Sequence, residues 1–254
     1  MKIAVCIKQV PARDWQPRVN DEKTWVRDQD AAFELNEPDA YALEEGMRLK
    51  EKHGGEVVVC SAGPARVAQA LREALARGAD RAIHVEGDAL AQADAFGIAG
   101  ALASAMRDEQ FDLVLTGLQS DDQGFAQTGV VLAAMLGVPS ATIIMEVDVQ
   151  PGAVRVKREL EGGWFQFVTL PLPAVLTIQS GINQLRYATL KGIMAAKKKE
   201  IRKVAPPADL ATRQRIVSLY VPEKTKRTEM IGGSAAEAAK ELVRRLRDEA
   251  RVIS

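Results

Sequence analysis

Short apolar runs punctuate the first half of the chain, and the stretches between them carry helical patterns. Residues 3–7 open the chain as a continuous apolar run, the pattern of a strand buried on both faces. Polar sequence without a clear period follows to about residue 34. Asn36 then reads as a helix N-cap with Pro38 just inside, and Ala42, Leu43, Met47 and Leu49 fall on or near one face before Gly54-Gly55. Val57-Val58-Val59-Cys60 is the next strand. Residues 61–64 turn the chain into a helix carrying Val67, Leu71 and Leu75, which Gly78 ends. Ala82-Ile83-His84-Val85 and Leu113-Val114-Leu115 are two further strands, separated by an alanine-rich helix over 91–107. A Gly/Ser/Asp loop then leads into a helix through Leu136. This alternation predicts an α/β fold, a doubly wound and mostly parallel sheet with helices on both faces.

The pattern changes from residue 141. Residues 142–149, 154–160, 164–170 and 174–178 read as strands. Gln150-Pro151-Gly152 and Glu161-Gly162-Gly163 are turns that make an antiparallel meander of the first three. A basic segment spans 187–203, and Ala205-Pro206-Pro207 reads as a linker. Residues 234–251 form a closing amphipathic helix with Ser234 as N-cap and Ala238, Leu242 and Leu246 on one face. The expected organisation is an α/β domain over 1–203 and a C-terminal linker and helical arm over 204–254.

Charge narrows the function classes. The 34 basic and 34 acidic residues cancel, so no global attraction to nucleic acid or membrane is expected. Two cysteines, Cys6 and Cys60, lie far apart, and there are only two histidines. That excludes a zinc ribbon, a Cys-ligated cluster or a disulfide scaffold. The first apolar run is too short for a signal peptide, which points to the cytoplasm. No GxGxxG, Walker loop or GxSxG elbow is present, and no acid–base constellation suggests catalysis.

Ligands of doubly wound sheets sit beyond the carboxyl ends of the strands. Three loops qualify: the one after Lys8, residues 61–64 and residues 117–129. The last leaves a strand and enters a helix. Its helix-start amides and the Thr128 hydroxyl suit a phosphate, and Asp121 or Asp122 suits ribose hydroxyls. An ordinary polar loop with Asp caps is the alternative. Residues 186–199 also stand out, with Leu190, Ile193 and Met194 at helical spacing beside Lys197, Lys198 and Lys199. Two readings stand: a helix packing its apolar face inward, or an apolar anchor ringed by charge for partner docking.

These residues resemble the beta subunit of electron transfer flavoprotein along nearly the whole chain. The strongest match is Val156-Lys157-Arg158-Glu159-Leu160-Glu161-Gly162-Gly163, with Gln166, Val168 and Pro173-Ala174-Val175-Leu176-Thr177. The resemblance implies a heterodimer with a larger alpha subunit, which holds most of one FAD. It implies AMP in a site formed by Cys6, Asn36, Glu37, Pro38, Asp39, Ala62, Gly117, Gln119, Ser120, Asp121, Asp122, Gln123, Gln127 and Thr128. It implies docking of flavin-dependent dehydrogenases through Tyr187, Leu190, Ile193, Met194 and the three lysines, delivery of electrons to a membrane quinone oxidoreductase, and contact of Arg158 and Glu159 with the alpha subunit. The chain would be a carrier rather than an enzyme, with neither metal nor membrane insertion.

Some relatives bind a second FAD in place of AMP and bifurcate electrons. Tyr187-Ala188-Thr189-Leu190 and Ser120-Asp121-Asp122-Gln123 are nearer to the AMP-binding bacterial type. Residues 11–17, with Trp15, depart from relatives whose early loop approaches the flavin, so flavin contacts stay open. A nucleotide-binding protein of the universal-stress type is the rival reading. It lacks its glycine-rich loop here and leaves residues 153–203 unexplained.

Overall fold

The computed structural model describes residues 1–223 and 228–253. Eleven strands and six α-helices are present among them. The chain divides into two compact units, Met1–Ser218 and Leu219–Ser254.

The first unit is built on a nine-stranded sheet. Strands β1 (Lys2–Cys6), β4 (Glu56–Gly63), β5 (Arg81–Glu86), β6 (Leu113–Gly117) and β10 (Ala174–Ile178) are parallel. Their interior residues are buried, as apolar runs covered on both faces require. Successive side chains alternate between two cores. Ile3, Val5, Val57, Val59, Leu113 and Leu115 face α1 (Glu37–His53) and α2 (Ala68–Ala76). Ala4, Cys6, Val58, Cys60 and Val114 face α3 (Ala95–Met106) and α4 (Thr128–Leu136).

With β7 (Ser140–Gln150), β8 (Ala153–Glu159), β9 (Phe165–Pro171) and β11 (Ile201–Val204), the spatial order is β11-β5-β4-β1-β6-β10-β7-β8-β9. From β1 the chain moves to β4 and β5, then crosses to β6 on the other side of β1. The connections therefore diverge between β1 and β6, the switch point where such sheets open a crevice.

The meander expected from residue 141 is present as antiparallel β7, β8 and β9. Strand β10 does not extend it. It inserts between β6 and β7, parallel to both. Valines 154 and 156 on β8 are buried while Arg155 between them is exposed, the alternation of a sheet with one wet face.

Five local expectations need correction. The strand read at residues 57–60 runs on through Gly63, because Ser61, Ala62 and Gly63 pair with His84, Val85 and Glu86 of β5 instead of turning the chain. The stretch to residue 34 contains β2 (Gln9–Pro11) and β3 (Phe33–Leu35), paired antiparallel. Three residues per strand are too few to show a period. The third helix begins at Ala95, because Asp94 caps it by accepting from the Gly97 amide at 2.8 Å, and a 3₁₀ turn precedes it. The basic segment holds α5 (Leu190–Ala196) and β11, whose two cations masked an edge strand.

The last correction concerns the second unit. Helix α6 (Ala235–Arg244) starts at Ser234 with the reciprocal Ser234–Glu237 capping box but gives way to a wider π turn over Arg245–Glu249. Residues 224–227 and 254 of the expected arm lie outside the described residues.

The first unit continues past Pro207. Asp94 Oδ2 accepts the amides of Arg213 and Gln214 at 2.6 and 2.7 Å, which fastens that segment to the start of α3. No helix among the described residues is long and apolar enough to cross a membrane, and no group of metal-ligating side chains is found among them.

Candidate functional site

The crevice at the switch point is walled by the exits of β1, β4 and β6 and by the starts of α1 and α4. Its floor is a carboxylate. Asp39, in the first turn of α1, is buried and accepts from Gly117 N at 3.0 Å and Lys8 N at 2.7 Å. Burial pushes its pKa up to about 7, against the pull of those amides and of the Lys8 charge. Gly117 must be glycine: a Cβ there would lie 2.5 Å from Asp39 Oδ1 and 2.6 Å from the Pro38 carbonyl carbon. Buried Cys6 ends β1, and burial raises its thiol pKa well above the ordinary value, so it is an inert neighbour. Ala62 is half-buried at the β4 exit.

Asn36 precedes α1 as expected but does not cap it with its side chain. Its amide spans the crevice instead. Nδ2 donates to the Gln119 carbonyl at 3.0 Å and Oδ1 accepts from Asp121 N at 2.9 Å. Asp121 Oδ2 in turn accepts from Glu37 N at 3.3 Å, and Arg13 pairs with Glu37. Lys8 fastens the same loop from the β1 side, its Nζ reaching Asp122 Oδ1 at 2.7 Å, Gln123 Oε1 at 2.9 Å and Ser120 Oγ at 3.2 Å.

Lys8 and Arg13 were not among the expected site residues. A cation directly after a buried strand was the only available clue to Lys8, and nothing local marks Arg13.

The loop ends at the α4 start. No side chain among the described residues caps that helix, and its first turn begins with Val131 N donating to Gln127 O at 3.0 Å. The amides of residues 128–130 and the Thr128 hydroxyl therefore form a donor-rich end where the helix dipole favours an anion. Gln127 is exposed and Thr128 half-exposed. Gly129 lets this end press on the sheet, since a Cβ would lie 2.6 Å from Thr177 Cγ2 and 2.7 Å from Thr116 Oγ1.

A second feature lies on the α1/α2 face. Arg186 makes a bidentate pair with Glu44, both contacts 2.9 Å, and also bonds Glu51. Thr189 caps α5 through Gly192 N at 3.0 Å. Arg72 donates to the Ala196 and Lys199 carbonyls at 2.6 and 2.7 Å, and Lys199 donates back to the carbonyls of Leu75 and Ala79. Anchored at both ends, the segment turns its apolar side outward: Tyr187 is 90%, Leu190 83%, Met194 62% and Ile193 44% exposed. Inward packing of Leu190, Ile193 and Met194 is therefore not what the fold does. Lys197 and Lys198 are exposed, whereas Lys199 is half-buried in its α2 contacts.

Arg158 and Glu159 close β8. Arg158 is committed to the Thr142 carbonyl and hydroxyl and to Gln166, and Glu159 accepts from Gln179 Nε2 at 2.8 Å.

Comparisons with known proteins agree on one family. Residues 24–209 match the electron transfer flavoprotein domain. The chain is 39% identical to an electron transfer flavoprotein subunit beta of Methylophilus methylotrophus, covering 96% of this chain and 97% of that one. It is 34% identical to the Bacillus subtilis subunit, over 94% and 96% of the two chains. It is 36% identical to the human subunit, over 99% of each. With its doubly wound sheet and its matches along nearly the full length, the chain belongs to the electron transfer flavoprotein beta-subunit family.

Proposed function

We propose that the chain works as one half of a heterodimer with an electron transfer flavoprotein alpha subunit. In this reading the complex accepts electrons from flavin-dependent dehydrogenases, such as acyl-CoA or amine dehydrogenases, and delivers them to a membrane quinone oxidoreductase. FAD, held mainly by the alpha subunit, supplies the electron-carrying chemistry. This chain contributes binding and positioning, so it is redox-active only as part of the flavin complex. Its compartment is the cytoplasm.

The switch-point crevice is assigned to AMP as a structural nucleotide. The observation that carries this is the α4 start, an amide-rich helix end without a capping side chain, seated against the sheet by Gly129. Gln127 and Thr128 would hold the phosphate. Residues 119–123 and the exit turns of β1 and β4 would enclose the nucleoside. Asn36, Asp39 and Lys8 fix the walls before the ligand arrives, which lowers the ordering cost of binding.

The outward face of α5 is assigned to dehydrogenase docking. A small apolar anchor with nearby exposed cations suits a carrier that must bind and leave quickly. Arg158 and Glu159, at the end of β8 in the meander, and the helical arm with exposed Leu242 and Val243 are assigned to the alpha subunit.

The test is co-expression with the alpha subunit, followed by size-exclusion chromatography with light scattering. A yellow one-to-one complex is expected. A colourless homodimer that binds ATP would contradict the proposal.

A further inference from the structure

One buried titratable side chain has no place in the roles assigned so far. His84 on β5 is fully buried and lies beside Ser61 in the β4–β5 ladder, one strand from the crevice. Its Nε2 is 3.1 Å from the Gly63 carbonyl. A carbonyl only accepts, so Nε2 carries the proton and Nδ1 is bare. Nδ1 makes no hydrogen bond, and the Glu86 carboxylate stands 3.4 Å away, itself 2.7 Å from Lys203 Nζ. Burial lowers the His84 pKa, which keeps the ring in this neutral form. A buried ring with one unmatched nitrogen costs free energy that an apolar side chain of similar size would not. What the ring adds is the donor to Gly63.

Gly63 is the last residue of β4, where the chain turns into the short helix over Ala65–Val67, and its carbonyl also accepts from Gly87 N at 3.1 Å. On the strand side of that turn, Ser61 Oγ donates to the Ile7 carbonyl at 2.7 Å. Beyond the ladder pairs that Ser61, Ala62 and Gly63 make with β5, the strand end entering the turn is thus tied by side chains to the residue after β1 through Ser61 and to β5 through His84.

We propose that His84 is a positioning residue of the nucleotide crevice: its Nε2–H bond to Gly63 sets the β4 exit turn at the height AMP binding requires. The proposal rests on the AMP reading of the crevice.

Two variants of the heterodimer test it. His84→Leu removes the donor, and His84→Gln returns an amide N–H near the Nε2 position. AMP affinity is measured by calorimetry on nucleotide-stripped complex, and amide exchange is followed over residues 61–67. His84→Leu is expected to weaken AMP binding about tenfold, the loss of roughly one hydrogen bond, and to speed exchange in that turn alone. His84→Gln should recover most of both. Unchanged affinity and exchange in His84→Leu would overturn the proposal. So would equal losses in both variants with faster exchange across the whole sheet, the mark of a general core role.

If the wild-type complex binds no AMP, the AMP reading fails. The exchange comparison then decides by itself whether His84 holds the turn. Should His84→Leu not fold, the imidazole nitrogen shifts of the wild type decide instead, and an Nδ1–H tautomer would refute the role.

Discussion

Asp39 joins the exits of two strands, its two oxygens accepting from Lys8 N and Gly117 N, which are 109 residues apart in the chain. Its pKa of about 7 lies above the ordinary 3.8 because burial outweighs the two amide bonds. Below about pH 4 the group is protonated whether folded or unfolded, and its stabilising contribution is fully present. As pH rises through about 7, the folded chain loses a proton that the unfolded chain gave up earlier, and the contribution is lost.

Asp39→Asn should therefore flatten the pH dependence. It should also cost about 1–3 kcal/mol at pH 5, because one amide bond loses its acceptor. Melting curves from pH 5 to 8.5 should show the gap between variant and wild type narrowing towards high pH. Parallel curves would contradict the assignment of the proton to Asp39.

Thr128→Val keeps the shape of the α4 start and removes one hydroxyl. It should weaken AMP binding by about 1–2 kcal/mol with little change in melting temperature. Gly129→Ala should lose both affinity and stability. Its methyl meets Thr177 and Thr116 at less than 3 Å, and overpacking of this kind costs about 1–3 kcal/mol. Calorimetric titration and melting curves on the stripped complex separate the two effects.

Leu190→Ala should slow reduction by the cognate dehydrogenase at low donor concentration. Burying a leucine in a partner contributes about 1.5–3 kcal/mol, which is one to two powers of ten in affinity. The melting temperature should hold, since Leu190 is 83% exposed in this subunit. Stopped-flow reduction that is unaltered would remove Leu190 from the docking role.

The neighbouring lysines should separate in the same assay. Lys197→Ala and Lys198→Ala should lower the association rate in a salt-dependent way. Lys199→Ala should instead lower the melting temperature, because its ammonium holds the Leu75 and Ala79 carbonyls behind α2.

The lysine contrast illustrates what the sequence can and cannot disclose. Lys197, Lys198 and Lys199 are identical in local context, and only tertiary packing distinguishes the last. The parallel core was legible because strands covered on both faces leave continuous apolar runs, as at residues 3–7 and 113–115. Strand β11 was hidden because Ile201 and Val204 flank Arg202 and Lys203 in a basic stretch. Asn36 was legible as a helix start, but the partners of its side chain, Gln119 and Asp121, lie 83 and 85 residues away. No local pattern encodes such a bond. Lys8 escaped for the same reason, since its partners are on the β6 loop.

The central claim is that this subunit brings AMP, and no flavin of its own, to a heterodimer. Native mass spectrometry of the complex purified with its alpha subunit, followed by nucleotide analysis of the acid extract, tests it most directly. The account predicts one alpha chain, one beta chain, one FAD and one AMP. Two FAD per heterodimer with no AMP would contradict it.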